Sequence, residues 1–385
     1  MKFSRLGLLA LISLSVGLVS CNSTGSDSKV TVRIQFVPSR DATDLATEAD
    51  ALEPILAKYA PDYDFDITTG VNYGAVTTAL ITDQIEFGFL TAQQYAEATI
   101  KYPGKVDVVL TSVRSGYAVQ QDFPEIAGTD DEKLALQVKA MNGGLNGQYG
   151  IPEDYVYEGQ QSSKNVTYYN SLAFALKDSV RTAHDLPALD ANGNGSVELS
   201  ELAGHVVALQ NQSSGSGFIY PSVLAYNAGY TFKKVQNISD TAGLGATEIG
   251  YIDASVGGHD GGTLAVLNGQ ADAAFTFMDN RYTSQFSKGD EADAGKWDLG
   301  GSHVFENTTA IAMTTGIYND TISTRSNIAP AIREAVAAAF KQAINDPEGK
   351  EILNDVYSHT GYLDAKDSDY DGERDVWQWK QDNIA

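Results

Sequence analysis

Twice along the 385-residue chain, short segments patterned as strands alternate with segments patterned as helices. Residues 30–37 alternate apolar and polar side chains before Pro38, and 46–59 place apolar side chains at helical spacing. A strand at 64–69, a helix at 75–82 and strands at 86–90 and 106–113 follow. A polar, Gly-rich stretch at 120–164 interrupts the series and reads as a surface insertion. The alternation then resumes with strands at 166–176, 205–209 and 271–277 and helices at 217–227 and 262–267. Such alternation predicts an α/β fold with a largely parallel sheet in each of two similar units.

An internal echo supports the two units. Residues 81–89 (ITDQIEFGF) match 267–275 (LNGQADAAF) at one constant offset. Each reads as a helix end, a tight turn and a buried strand, although two βα turns can also resemble one another by chance. Ligands of open α/β sheets sit outside the carboxyl ends of the strands. The residues after each echo, 91–95 and 276–281, are therefore expected to face a shared cleft.

Length suits two domains, and 43% apolar with 10% aromatic residues is a globular composition. The net charge of −24 sets the chain against nucleic acid and anionic lipid headgroups. It also means that any anion site must draw on local groups, best of all backbone N–H groups, because the long-range field opposes it.

At the start of the chain, Lys2 and Arg5 precede an apolar run at 6–19 that is too short to span a membrane and reads as an export signal. Leu18-Val19-Ser20-Cys21 resembles the bacterial lipobox, which makes Cys21 a candidate for lipidation after removal of residues 1–20. Two acyl chains hold a protein stably at a membrane surface. Cys21 is the single cysteine, so no intrachain disulfide can form. Residues 21–29 have the small, polar composition of a flexible tether.

The segment 206–226 carries the most chemistry. A strand runs into Ser213-Ser214-Gly215-Ser216-Gly217, which opens a helix with Phe218, Ile219, Val223 and Leu224 on its apolar face. The first N–H groups of a helix lack intrahelical acceptors and carry about half a positive charge, which makes an anion seat. Ser214 and Ser216 add hydroxyls, and glycines permit close backbone approach. The same residues also describe an ordinary Ser N-cap on a flexible turn.

Here the chain resembles the PhnD-like family, the phosphonate-, phosphite- and phosphate-binding components of ABC importers. The likeness is carried by Tyr73-Gly-Ala-Val, by 87–95 (FGFLTAQQY), by the 213–218 turn, by Gly258-His259-Asp260, by 268–275 and by Asn319-Asp320-Thr321-Ile322. It implies a two-lobed type II periplasmic-binding-protein fold with the ligand cleft between lobes. It further implies that Ser214, Gly215 and Ser216 hold phosphoryl oxygens, that His259 donates to them, and that Tyr73 and Tyr95 close over the ligand. Asp279 and Asp320 fall where aminophosphonate-binding members meet the ligand amine. Gly215 stands where the family often has Thr, and Tyr318 where it often has Pro. The expected organisation is lobe 1 at 30–115 and 320–385, an insertion at 116–165, and lobe 2 at 166–319.

Within lobe 2, an insertion at 180–201 contains an EF-hand-like loop. Asp190, Asn192, Asn194, Ser196 and Glu201 occupy ligand positions and Gly195 the turn. The loop is a candidate Ca²⁺ site, the alternative being an Asn-Gly surface turn. A second Asp-rich loop at 367–378 offers Asp367, Asp369, Asp371 and Glu373, with Gln378 in place of the closing Glu. An acidic solvated tail explains it equally well.

No phosphate-loop, zinc-protease or nucleophile-elbow motif is present, which argues against the enzyme classes they serve. The expectation is a monomeric, lipid-anchored importer receptor in the cell envelope that delivers a small phosphorus-containing anion or zwitterion to an ABC permease. Two rivals remain. One keeps the fold for a thiamine-phosphate-like or other solute, and the other is a calcium-dependent surface adhesin.

Overall fold

The computed structural model describes residues 29–38, 42–283, 297, 299 and 304–384. Cys21 and the expected signal lie outside the described residues. In lobe 1, β1 (Val30–Phe36), β2 (Tyr63–Thr69) and β3 (Phe87–Leu90) run parallel. The longer β4 (Val106–Tyr117) extends beyond them and pairs at its far end with β5 (Gln161–Val166).

The chain crosses by β6 (Tyr168–Tyr169) into lobe 2, whose sheet comprises β7 (Ser171–Leu176), β8 (Val206–Leu209), β9 (Thr231–Lys234), β10 (Glu248–Asp253), β11 (Ala273–Phe277) and β12 (Thr308–Met313). It returns through β13 (Ile317–Tyr318), antiparallel to β6, into β14 (Thr321–Arg325) and β15 (Gly361–Asp364) of lobe 1. The sheet orders are β15-β4-β14-β3-β1-β2 and β12-β7-β11-β8-β10-β9.

Each sheet is mixed where a largely parallel one is expected. Three strands are parallel in lobe 1 and four in lobe 2, and antiparallel strands flank them. The reason is the double crossing: β7 and β14 are the first strands after each passage between lobes, and both run opposite to their sheet neighbours. The single strand expected at 166–176 is broken at the crossing. There Asn319 N–H donates to the Thr167 carbonyl (2.9 Å) and Asn170 Nδ2 to the Thr314 carbonyl (2.7 Å), which ties the two passages into one hinge.

The internal echo has a structural counterpart. Glu86 accepts from the Arg33 backbone N–H on β1 (2.9 Å), and Asp272 accepts from the Val206 N–H on β8 (3.0 Å). Each carboxylate also pairs with an arginine, Arg33 at 2.8 Å and Arg181 at 2.6 Å. An acidic residue entering a buried strand thus fixes the neighbouring strand in both lobes.

The stretch 120–164, read from its polarity as a surface insertion, in fact forms a core against lobe 2. Its helix Asp131–Met141 buries Leu134, Gln137, Ala140 and Met141, one side of a helical repeat, and Leu136 and Val138 pack partly against the same cluster. These pack with Leu172, Ala310 and Met313, and Asn142 exchanges two hydrogen bonds with Ala310 on β12 (2.8 and 2.9 Å). Its polar composition comes from the first turn of that helix and the Gly-rich loops around it.

Candidate functional site

Between the lobes lies a cavity of about 340 Å³ to which both contribute. Lobe 2 supplies the start of the helical run 215–227. Ser214 caps it, with its Oγ accepting from Gly217 N–H (3.1 Å), while Phe218 and Ile219 N–H both close on the Ser214 carbonyl. The Gly215 and Ser216 N–H groups make no hydrogen bond to the protein among the described residues. Ser214 is therefore both an ordinary N-cap and, with Gly215, part of the cavity wall.

The two glycines play different parts. A Cβ at Gly217 would come 2.2 Å from Gln210 Cγ, so its bareness is required by packing on β8's exit. A Cβ at Gly215 would meet nothing closer than Gln93 Cγ of lobe 1 at 3.7 Å, which shows the lobes closed on one another.

A second helix of lobe 2, Gly258–Leu267, brings His259 and Asp260 to the cavity. Phe277 N–H donates to His259 Nδ1 (3.3 Å), so the ring's proton sits on Nε2, where it can be donated. Burial, with Arg114 nearby, lowers the His259 pKa to about 4, and the ring is neutral at pH 7. Neutrality suits a hydrogen-bond donor whose partner is held mainly by backbone amides.

From lobe 1 and the crossings come Tyr73, Arg114, Tyr169 and Asp320. Tyr73 opens the helix Tyr73–Ile81, whose N-cap Asn72 accepts from Ala75 N–H (2.9 Å). Arg114 Nη2 donates to Asp320 Oδ2 (2.7 Å), and its guanidinium lies 4.8 Å from the Tyr169 ring centroid. Burial favours the neutral form of Asp320, but Arg114 and His359 outweigh it and hold the carboxyl below its usual range. Arg114 is the one cationic side chain among the described residues lining the cavity, and sequence reading missed it. Its only signal was a lone arginine in the apolar strand 106–113 and its continuation, at the point where the chain leaves lobe 1.

Three expected residues stand elsewhere. Tyr95 is buried in lobe 1, its hydroxyl donating to Asp367 (2.7 Å) and its ring packed edge-on to Tyr370 at 4.9 Å. Asp279 is fully buried behind the cleft, ion-paired to Arg281 (2.7 Å) and accepting from the Tyr157 hydroxyl (3.1 Å), so it does not face a ligand amine. Ser216 is buried and not part of the cavity lining. Thr91, Phe277 and Asn280 do line it, in keeping with the positions that follow each echo.

Of the two Asp-rich loops, 190–201 closes on itself. Asp190 accepts from the N–H groups of Gly193, Asn194 and Gly195, and Glu201 reaches back to the Asn192 and Glu198 N–H groups. Gly195 has φ 86°, the left-handed turn that favours glycine. Asp190, Asn192, Asn194 and Glu201 thus share one tight loop of oxygen donors, the chemistry that suits Ca²⁺; Ser196, whose N–H donates to Asn194 Oδ1, lies on the same loop.

The candidate carboxylates of 367–378 are partnered within the protein. Asp367 and Asp371 are engaged by Arg374, Asp369 accepts from the Lys366 N–H, and Glu373 turns into the protein. Gly372 lies in a helix beginning at Asp371, so the sharp turn a calcium loop needs is absent.

The model of the periplasmic substrate-binding protein of phosphonate ABC transporters matches residues 34–370. Among curated proteins none matches. Similar solved structures include Prochlorococcus marinus PhnD1 in complex with methylphosphonate, 12% identical, covering 92% of this chain and 99% of that one, TM-score 0.59. A Xanthomonas citri protein bound to ATP is 16% identical, covering 93% and 100%, TM-score 0.58. A binding-protein component of an ABC phosphonate transporter from Pseudomonas aeruginosa is 12% identical, covering 92% and 87%, TM-score 0.56. At these identities the structural likeness speaks for the fold, while the family match spans most of the sequence. This chain belongs to the family of periplasmic substrate-binding proteins of phosphonate ABC transporters.

Proposed function

We propose that the chain holds a small phosphorus oxyanion, a phosphonate, phosphite or phosphate, between its lobes and presents it in the closed form to an ABC permease. The observation that carries this reading is the pair of uncommitted N–H groups of Gly215 and Ser216 at the start of a helical run, with Gly215 lining a cleft that also bears Arg114. Amides and the helix dipole attract an oxyanion locally, which answers the opposing net charge of −24. His259 Nε2–H and the Ser214 hydroxyl are further donors of the kind a phosphoryl group accepts.

Three carboxylates, Asp260, Asp320 and Asp355, also line the cleft, against one guanidinium, that of Arg114, among the described residues. That balance favours a ligand carrying its own positive charge over a bare dianion. The methylphosphonate of the Prochlorococcus protein and the ATP of the Xanthomonas protein share only their phosphoryl oxygens, the part the 214–217 seat would hold.

The sequence around Cys21 supports a lipid anchor at the outer face of a membrane, and no described helix is long and apolar enough to cross one. The donor set of 190–201 supports a structural Ca²⁺ clip held by Asp190, Asn192, Asn194 and Glu201.

A thermal-shift titration with methylphosphonate, phosphite, inorganic phosphate and an aminoalkylphosphonate tests the ligand class. A true ligand raises the midpoint progressively once its concentration exceeds the dissociation constant. No shift with any of the four at millimolar concentration would remove the reading.

A further inference from the structure

The C-terminal helix Asp371–Asn383 is seated on lobe 1. Arg374 Nε donates to Thr99 Oγ1 (3.1 Å), Lys101 Nζ lies 5.7 Å from the Trp377 ring centroid, and the preceding turn is held by the Tyr95–Asp367 hydrogen bond. From that base the helix reaches across to lobe 2 at three points. The Tyr220 hydroxyl donates to Glu373 Oε1 (2.8 Å), Lys380 Nζ donates to the Gln212 carbonyl (2.5 Å), and the Trp379 and Tyr226 rings meet edge-on at 5.3 Å. Gln212 and Tyr220 bracket the 214–217 seat in sequence. A helix fixed on one lobe thus grips both flanks of the other lobe's seat.

Glu373 is the centre of this grip. Its buried carboxylate receives the Tyr220 hydroxyl of lobe 2, the Tyr318 N–H of the returning crossing (2.8 Å) and Gln93 Nε2 of lobe 1 (2.5 Å). The same Gln93 is the lobe 1 side chain nearest Gly215. Opening the lobes would pull Tyr220 away and leave a buried carboxylate short of a donor, which is costly.

We propose that the C-terminal helix is an interlobe strap and that Glu373, bonded to Tyr220, is a positioning residue holding the 214–217 seat against lobe 1 before any ligand arrives. Apparent affinity is the intrinsic affinity scaled by the fraction of closed molecules, so a strap that favours closure tightens binding without touching the ligand. The Asp-rich segment 367–378 then serves as the strap's anchorage, with Asp367 accepting from the Tyr95 hydroxyl and Arg374 donating to Thr99 Oγ1.

The test measures interlobe distance by spin-label spectroscopy on the full chain carrying Cys21→Ser, with labels at Lys105→Cys on lobe 1 and Asn237→Cys on lobe 2, both exposed. Without ligand, the protein with an intact strap shows one dominant short distance. Tyr220→Phe, which removes a single hydroxyl, and Glu373→Gln each add a longer-distance population. Both weaken methylphosphonate affinity by about three- to tenfold, the double variant being no worse than the worse single one. Unchanged ligand-free distances in both single variants would overturn the strap. Because distances are read without ligand, failure of every form to bind methylphosphonate would count against the ligand class and leave the strap to be decided by the distances.

Discussion

Arg114 Nη2 stands 2.7 Å from Asp320 Oδ2, joining the strand that leaves lobe 1 to the residue through which the chain re-enters it. The pair closes the hinge side of the cleft and presents the cleft's one described cationic side chain to its interior. It is mostly shielded, with side-chain exposures of 14% and 10%.

Arg114→Met would strand the Asp320 carboxylate without its cation, at a cost of about 2–3 kcal/mol after allowance for the residual solvent. Adding Asp320→Leu should restore most of that stability in urea denaturation but not anion binding, which calorimetry should find at least tenfold weaker in both variants. Recovery of binding in the double variant would show that Arg114 serves the hinge alone.

His259 and His359 are both held at about 4, each chiefly by burial, against an ordinary value of 6.5. Their folded values lie below the unfolded one, so the unfolded chain takes up protons first. Stability is then fully present above about pH 6.5 and is lost as pH falls toward 4, by roughly 1.4 kcal/mol per pH unit for each ring. Urea midpoints measured across this window should fall with acid, and His359→Gln should flatten the slope. An imidazole NMR titration should find the His259 ring neutral at pH 6, with its proton on Nε2.

The 190–201 loop should take up one Ca²⁺, raising the unfolding midpoint, and Asp190→Ala should abolish that uptake in a calcium titration. Asp369→Ala should leave the stoichiometry unchanged, because the 367–378 carboxylates are committed within the protein.

Much of this was legible in the sequence because it depends on periodicity and local chemistry. The echo at 81–89 and 267–275 emerged as two acid-to-strand junctions, and the Ser-Gly turn as a capped helix start on the cleft. Tyr95 and Asp279 were misplaced for one reason. Each belongs to a segment that does approach the cleft, but its side chain points away from it, into a core or a lobe contact, and spacing alone does not say which way. Arg114 was missed because a single cation on a strand carries no pattern. The buried side of helix 131–141 was hidden by the polar, Gly-rich loops around it.

The seat itself is tested by calorimetry of Gly215→Pro with methylphosphonate. Proline is tolerated at the first position of a helix, the extended Ser214 (φ −75°, ψ 122°) accepts a following proline, and a side chain at 215 meets only ordinary contacts. The substitution therefore replaces one uncommitted N–H with a ring methylene that faces the seat, while leaving the helix start intact. A fold of unchanged stability with binding weakened at least tenfold is the predicted result; wild-type affinity in that variant would contradict an oxyanion seated on the Gly215 amide.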